Sequence, residues 1–142
     1  MSGDPKIRQS SIAKIKSFIS DESKIHRQSV FLCMILCHTA IVQAGLTSKY
    51  ISESEDEIAM LTFAKQIGFR FAKRAGNMMH LKIHGSMIRY KIKGLLPFDP
   101  VRKMMSVIVE TEDGAHCVLS KGADSSVLKR CVGLTVQERE TI

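Results

Sequence analysis

Apolar and polar positions change rhythm twice along the chain. Residues 1–28 are polar and basic, with Ile12, Ile15, Phe18 and Ile19 at helical spacing, so this stretch reads as a surface helix or an arm. From Ser29 to Val42 ("SVFLCMILCHTAIV") apolar residues occupy most sides, which predicts a largely buried helix. Gln43 to Ile51 contains Gly45 and reads as a loop. Ser54 then opens a second helix. Its hydroxyl can cap, and Glu57 stands three residues on, at capping-box spacing. Ile58, Leu61 and Ala64 fall on one face, and Gly68 supplies the stop.

Beyond Gly68 the period becomes two. Phe69 and Phe71 alternate with Arg70 and Ala72; Met79, Leu81 and Ile83 alternate with polar neighbours; Ile88, Tyr90 and Ile92 alternate with Arg89, Lys91 and Lys93. These are strands with one wet, basic face. "HGS" at His84–Ser86 joins two of them as a hairpin. "MMSVIV" and "AHCVLS" flank Glu112-Asp113-Gly114 as a second hairpin. Between the hairpins, Pro97 and Pro100 restrict the backbone around Phe98 and predict a turn rather than a continuing strand. Asp124 or Ser125 caps a short helix carrying Val127, Leu128 and Cys131, ended near Gly133, and the tail "LTVQERETI" begins another. Helices, then an antiparallel sheet, then a helix give an α+β fold, an α/β sandwich with helices packed on the sheet.

Composition narrows the partners. The 142 residues amount to one domain, 44% hydrophobic and 25% charged, and the net charge of +7 suits an anionic partner: nucleic acid, an acidic membrane or a nucleotide. Four cysteines (33, 37, 117, 131) include no CxxC pair, and no signal peptide opens the chain, so a reduced, cytosolic setting is the simpler reading. The apolar run Val30–Cys37 is too short to span a bilayer.

Several stretches carry chemistry, each beside a plainer reading. In "LLPFDPVRK" a stiff turn holds Phe98 at a fixed angle, where it could stack on a purine, with Lys103 adding a cation; the plainer reading is a ring plugging the edge of the core. In "SKGAD", Ser120 to Asp124, Lys121 ends a strand, and Gly122 and Ala123 let a ligand approach the backbone. Asp124 would repel a phosphate at the helix start, so a purine near Lys121 fits better than a triphosphate there. The plainer reading is a tight strand-to-helix turn. In "SESEDE", Ser52 to Glu57, acids suit the helix dipole; spacing alone does not choose one of them for a ligand. Cys33 and Cys37, one turn apart with His38 adjacent, lack a third and fourth ligand with zinc spacing and read as buried thiols. No nucleophile–base arrangement stands out. The chain has no Trp and only 6% aromatics, no RNA-binding motif interleaves with the charge, and the basic strand faces read as solvated.

In chain order, "ILCHTA" (Ile35–Ala40), "ESEDEIAML" (Glu53–Leu61), "GFRF" (Gly68–Phe71), "LPFDPVRKMMSVIV" (Leu96–Val109) and "KGAD" (Lys121–Asp124) resemble the nucleotide-binding domain of type IV P-type ATPases, the phospholipid flippases. The resemblance covers about Phe31 to Cys131. It implies an ATP site in which Phe98 stacks on adenine and Glu57 contacts the adenine edge. Lys103 and Lys121 would line the pocket, with Gly122 and Ala123 as its close backbone wall. It also implies Mg²⁺ with the nucleotide, and a cytosolic domain of a multi-pass membrane protein. That parent would be an ATP-driven translocase and hydrolase, with phosphorylation and actuator domains, a phospholipid substrate and an accessory β-subunit.

This chain departs from the family in places. Ser54-Glu55-Asp56-Glu57 replaces the usual Ser-Pro-Asp-Glu, Pro97 replaces an acid, and Met104 stands where a third basic residue is common. The Asp-Lys-Thr-Gly and Thr-Gly-Glu motifs are missing. The expected organisation is therefore a basic segment at 1–30 and a nucleotide-binding domain at 31–142, cut short at its C-terminus, that presents ATP without hydrolysing it. The alternatives are a non-enzymatic basic module for nucleic acid or acidic lipid headgroups, and a scaffold that has kept the fold but lost its ligand.

Overall fold

The apolar run after Ser29 ends as a helix before its hydrophobicity does. In the computed structural model, which describes residues 9, 12–14, 24–43 and 49–141, helix α1 spans Lys24–Leu36. The helix expected over Ser29–Val42 thus starts earlier and stops six residues sooner. His38 turns its Nε2 to the Ile35 carbonyl at 3.1 Å, and the Thr39 N–H donates to the Glu57 carboxylate at 3.0 Å. That partner lies on another element, so the local pattern does not announce it. The β-branched pair Ile41 and Val42 then enters β1 (Ile41–Gln43), which pairs antiparallel with β2 (Lys49–Ile51). The stretch read as a loop therefore contains a strand; Gly45 lies outside the described residues. Of the N-terminal segment, Gln9 and residues 12–14 are helical and Ile12 packs against the core, while Ile15, Phe18 and Ile19 lie outside the described residues. Among the described residues no helix is long and apolar enough to cross a membrane.

Helix α2 spans Glu55–Gln66 with Ser54 as N-cap, its hydroxyl accepting from the Glu57 N–H at 3.4 Å. Only half of the capping box forms. The Ser54 N–H donates to the Ser52 hydroxyl instead, and the Glu57 side chain turns inward. Leu61, Ala64 and Ile67 are buried. Gly68, at φ +100°, ends the helix where a Cβ would sit 2.8 Å from His84 Nδ1.

The period-two region folds into one antiparallel sheet in chain order: β3 (Phe69–Ala75), β4 (Met78–Ile83), β5 (Ser86–Asp99), β6 (Met104–Glu110) and β7 (His116–Gly122). Phe69, Phe71, Met79, Leu81, Ile92, Met105, Val107 and Val109 form one core with Ile35, Leu36, Leu61, Ala64 and Ile67 of the helices. Both expected hairpins form. Ile83 pairs with Ser86, leaving His84 and Gly85 as a two-residue turn with φ of 46° and 92°, and Gly114 at φ 84° serves the second. The α+β architecture follows the sequence expectation.

Two local readings change. Pro97 does not end β5; the strand continues to Asp99, and its pairing with β6 slips between Leu96 and Asp99. Pro97 and Phe98 sit in that slip, a bulge that tolerates a residue without an N–H. The turn comes at residues 100–103. There the Asp99 carboxylate accepts from the N–H of Val101 at 2.8 Å and of Arg102 at 2.7 Å, and the Asp99 carbonyl from that of Lys103 at 2.6 Å. Helix α3 (Asp124–Leu128) is preceded by Ala123, not by Asp124 or Ser125, as N-cap, with no side-chain cap bond. The Ala123 N–H donates to the Lys103 carbonyl at 3.0 Å, which carries the sheet's pairing one residue further and delays the helix. The tail forms α4 (Val136–Thr141), where Thr135 and Glu138 exchange both capping-box bonds, at 3.2 and 2.8 Å.

Candidate functional site

The start of α2, the segment after α1, the β5 bulge and the end of β7 converge on a cavity of about 680 Å³. Its lining comprises Thr39, Glu53, Ser54, Asp56, Glu57, Met60, Phe98, Met105, Lys121, Gly122 and Ala123. That volume lies inside the range of roughly 300–1,000 Å³ typical of small-molecule sites.

Glu57 and Lys121 anchor the cavity. Lys121 Nζ donates to Glu57 Oε1 at 3.1 Å, with the carboxylate only 6% exposed. Oε2 accepts from the Thr39 N–H at 3.0 Å, the Thr39 hydroxyl at 3.1 Å and the Ser52 hydroxyl at 2.8 Å. Burial alone pushes the Glu57 carboxyl up. The Ser52 hydroxyl, the Thr39 N–H and Lys121 outweigh it and hold the group below the usual carboxylate range. Glu57 is thus an anion with three donors on one oxygen and one on the other, so its remaining acceptor capacity is on Oε1. The carboxylate joins the end of α1, the start of α2 and the end of β7.

Phe98 is 62% exposed and is no part of the core, so the plainer reading of a core plug does not describe it. The bulge carries its ring to the cavity, whose lining also includes the buried Met105. Gly122 is needed for a reason the sequence does not show. A Cβ there would meet the Lys103 carbonyl at 2.3 Å and Met104 Cγ at 2.6 Å. The chain itself makes the close approach. Ala123 lines the cavity beside Gly122.

Lys103 is placed differently from the other five. It is exposed and does not line the cavity. It takes the left-handed conformation, φ 52°, and its carbonyl holds Ala123. Of the six residues singled out in the sequence, Glu57, Phe98, Lys121, Gly122 and Ala123 are brought together, and Lys103 serves through its backbone.

Sequence reasoning passed over Thr39 and Ser52, which orient Glu57, and Met60 and Met105, which supply apolar wall. Met105 was legible, since it is in phase with the buried Val107 and Val109. Thr39 was not, because its partner is eighteen residues away across a helix boundary. The lining is also more acidic than the net charge suggests: Glu53, Asp56 and Glu57 face one lysine.

Behind the cavity, Cys37 Sγ lies 3.6 Å from the Met105 carbonyl and Cys33 Sγ 3.5 Å from that of Ser120, fastening α1 to β6 and β7. His38 packs edge-on against Phe71, ring centroids 4.5 Å apart, and burial lowers its pKa to about 4. These side chains bond to backbone and core. Among the described residues no group of His, Cys, Asp and Glu is placed to hold a metal ion.

Residues 27–142 match the family model described as P-type ATPase, cytoplasmic domain N. The chain is 37% identical over 121 residues to human phospholipid-transporting ATPase IG, covering 78% of this chain and 11% of the relative. It is 40% identical over 109 residues to the probable phospholipid-transporting ATPase 4 of Arabidopsis thaliana, covering 70% and 9%. To mouse phospholipid-transporting ATPase IK it is 30% identical over 129 residues, covering 90% and 10%. The chain thus spans about a tenth of the length of the curated relatives it matches. The fold and these matches agree: the chain belongs to the family of P-type ATPase cytoplasmic N domains, homologous to that domain of the phospholipid-transporting members.

Proposed function

We propose that this domain binds ATP by its adenine end and presents the triphosphate to a phosphorylatable aspartate on a separate domain of a phospholipid-translocating ATPase. One observation carries the reading. An exposed aromatic ring shares a cavity with two methionines and an ion pair of buried Glu57 with partly buried Lys121. Adenine stacks on Phe98, with Met60 and Met105 supplying apolar contact. Glu57 Oε1 accepts from the exocyclic amino group, and Lys121 donates to a ring nitrogen. The carboxylates of Glu53 and Asp56 repel phosphates, so the triphosphate projects out of the cavity. Projection is what presentation requires: the positioned γ-phosphate reaches its acceptor while the base stays held. Mg²⁺ accompanies the phosphates. In the whole protein the partners are the phosphorylation and actuator domains, the phospholipid and an accessory subunit.

The basic strand face supports the nucleic-acid or acidic-lipid alternative less well, since Glu112 pairs with Arg89 at 3.2 Å and Glu110 with Lys93 at 2.9 Å.

An ATP titration followed by residue-resolved NMR tests the proposal. Shifts are expected at Phe98, Met105 and Lys121. Phe98→Ala should weaken binding roughly 5- to 150-fold, the weight of one stacking contact, and Lys121→Ala should weaken it too. Saturating ATP that leaves these signals in place would sink the reading.

A further inference from the structure

Arg102 lies in the turn beside the cavity yet does not line the cavity. Its guanidinium lies on the opposite face of the sheet. Met105 and Lys121 form one cross-strand row and line the cavity; the next row, Leu96, Ser106 and Ser120, therefore points the other way. Arg102 Nη1 donates to the Ser106 hydroxyl of that second row at 3.3 Å. Nη2 donates to the Met104 carbonyl at 2.9 Å and reaches those of Leu96 and Pro97 at 3.4 Å each. The Ser106 and Ser120 hydroxyls are 2.8 Å apart, which extends the network to β7 one residue before Lys121.

One side chain thus ties both edges of the slip that carries Phe98. The Pro97 carbonyl belongs to the peptide bond of Phe98 itself. Regular pairing is lost at this point, and Pro97 has no N–H to offer, so the ladder alone does not fix the bulge. A planar guanidinium can reach carbonyls on two strands at once, whereas a lysine ammonium is a point charge without that fork. We infer that Arg102 is a positioning residue, holding the Phe98 bulge from behind so that the ring is already set when the nucleotide arrives. The inference rests on the adenine-binding reading for its consequence, though not for its geometry. An ordered ring binds more tightly because less freedom is lost on association.

The test compares ATP binding in wild type, Arg102→Lys, Phe98→Ala and the double variant, with backbone heteronuclear NOEs measured without nucleotide. Arg102→Lys keeps the charge but not the fork. It should lower ATP affinity about tenfold, the weight of one charge-assisted hydrogen bond, and lower the NOEs of Phe98 and Asp99 while α1, α2 and β3 keep theirs. In the Phe98→Ala background the same change should cost no further affinity, because Arg102 acts through the ring. A loss of equal size in that background overturns the inference, as does an Arg102→Lys chain whose Phe98 is ordered and whose affinity lies within about twofold of wild type. Should Arg102→Lys not fold, Ser106→Ala removes one anchor and must show the same pattern in weaker form. Failure of the wild type to bind ATP overturns the nucleotide reading, and the NOEs of Phe98 and Asp99 still judge the clamp.

Discussion

His38 is almost fully buried, with Nε2 on the Ile35 carbonyl and Nδ1 without a hydrogen-bond partner among the described residues. Burial holds the ring neutral down to about pH 4. An unfolded chain takes up that proton near 6.5, the ordinary value for a histidine, so between 6.5 and about 4 the unfolded state binds more protons than the folded one. Stability therefore falls as pH drops through that window, by roughly 3 kcal/mol in all. His38→Phe keeps an aromatic ring beside Phe71 and should flatten the slope; urea melts across the window read it directly. A mutant that keeps the full slope would place its origin elsewhere. Glu57 acts in a lower range. Its depressed pKa supplies stability above the usual carboxylate range, and this is lost as pH falls through the folded value.

At the scale of elements, the junction of the turn with β7 leaves no room for a Cβ at Gly122. Gly122→Ala would drive a methyl group into the Lys103 carbonyl, which is backbone and cannot swing aside. The substitution should destabilise the domain by about 1–3 kcal/mol, seen as a lower urea midpoint with shifts at Lys103 and Met104. The large elements were legible because each has a repeated signal: alternation for β3 to β7, and a cap with an apolar face for α2. What escaped depends on partners distant in sequence. The early end of α1 is set by a carboxylate on α2, and β1 and β2 are three residues each, too short for a period to show. Two prolines read as a turn because each forbids regular pairing; a bulge satisfies the same restriction while the strand goes on. The candidate site was legible in residue type at Phe98 and the Lys121–Ala123 stretch, whereas Glu57 was singled out among the acids only by the family resemblance. The role of Arg102 was hidden, since an arginine beside a lysine reads as charge until the carbonyls it bonds are known.

Over the whole molecule, charge is divided. The chain carries +7, yet the cavity lining has three carboxylates and one lysine, while Lys82, Arg89, Lys91 and Lys93 belong to β4 and β5. A nucleotide held by its base in such a place gains little from its phosphates. Adenosine should bind the isolated domain within about tenfold of ATP, and added salt should change either affinity only slightly. Calorimetry with both ligands checks this, and a thousandfold preference for ATP would contradict it. The Glu57 node has a last consequence. Thr39, Ser52 and Lys121 meet there from three separate parts of the chain, so the bonds that shape the pocket also dock helices onto strands. A descendant that drifted at any of these positions would be penalised in folding before it was tested for ligand. Inheritance of this pocket is guarded by the demand for a stable fold, and it should outlast relaxed selection on the proposed function.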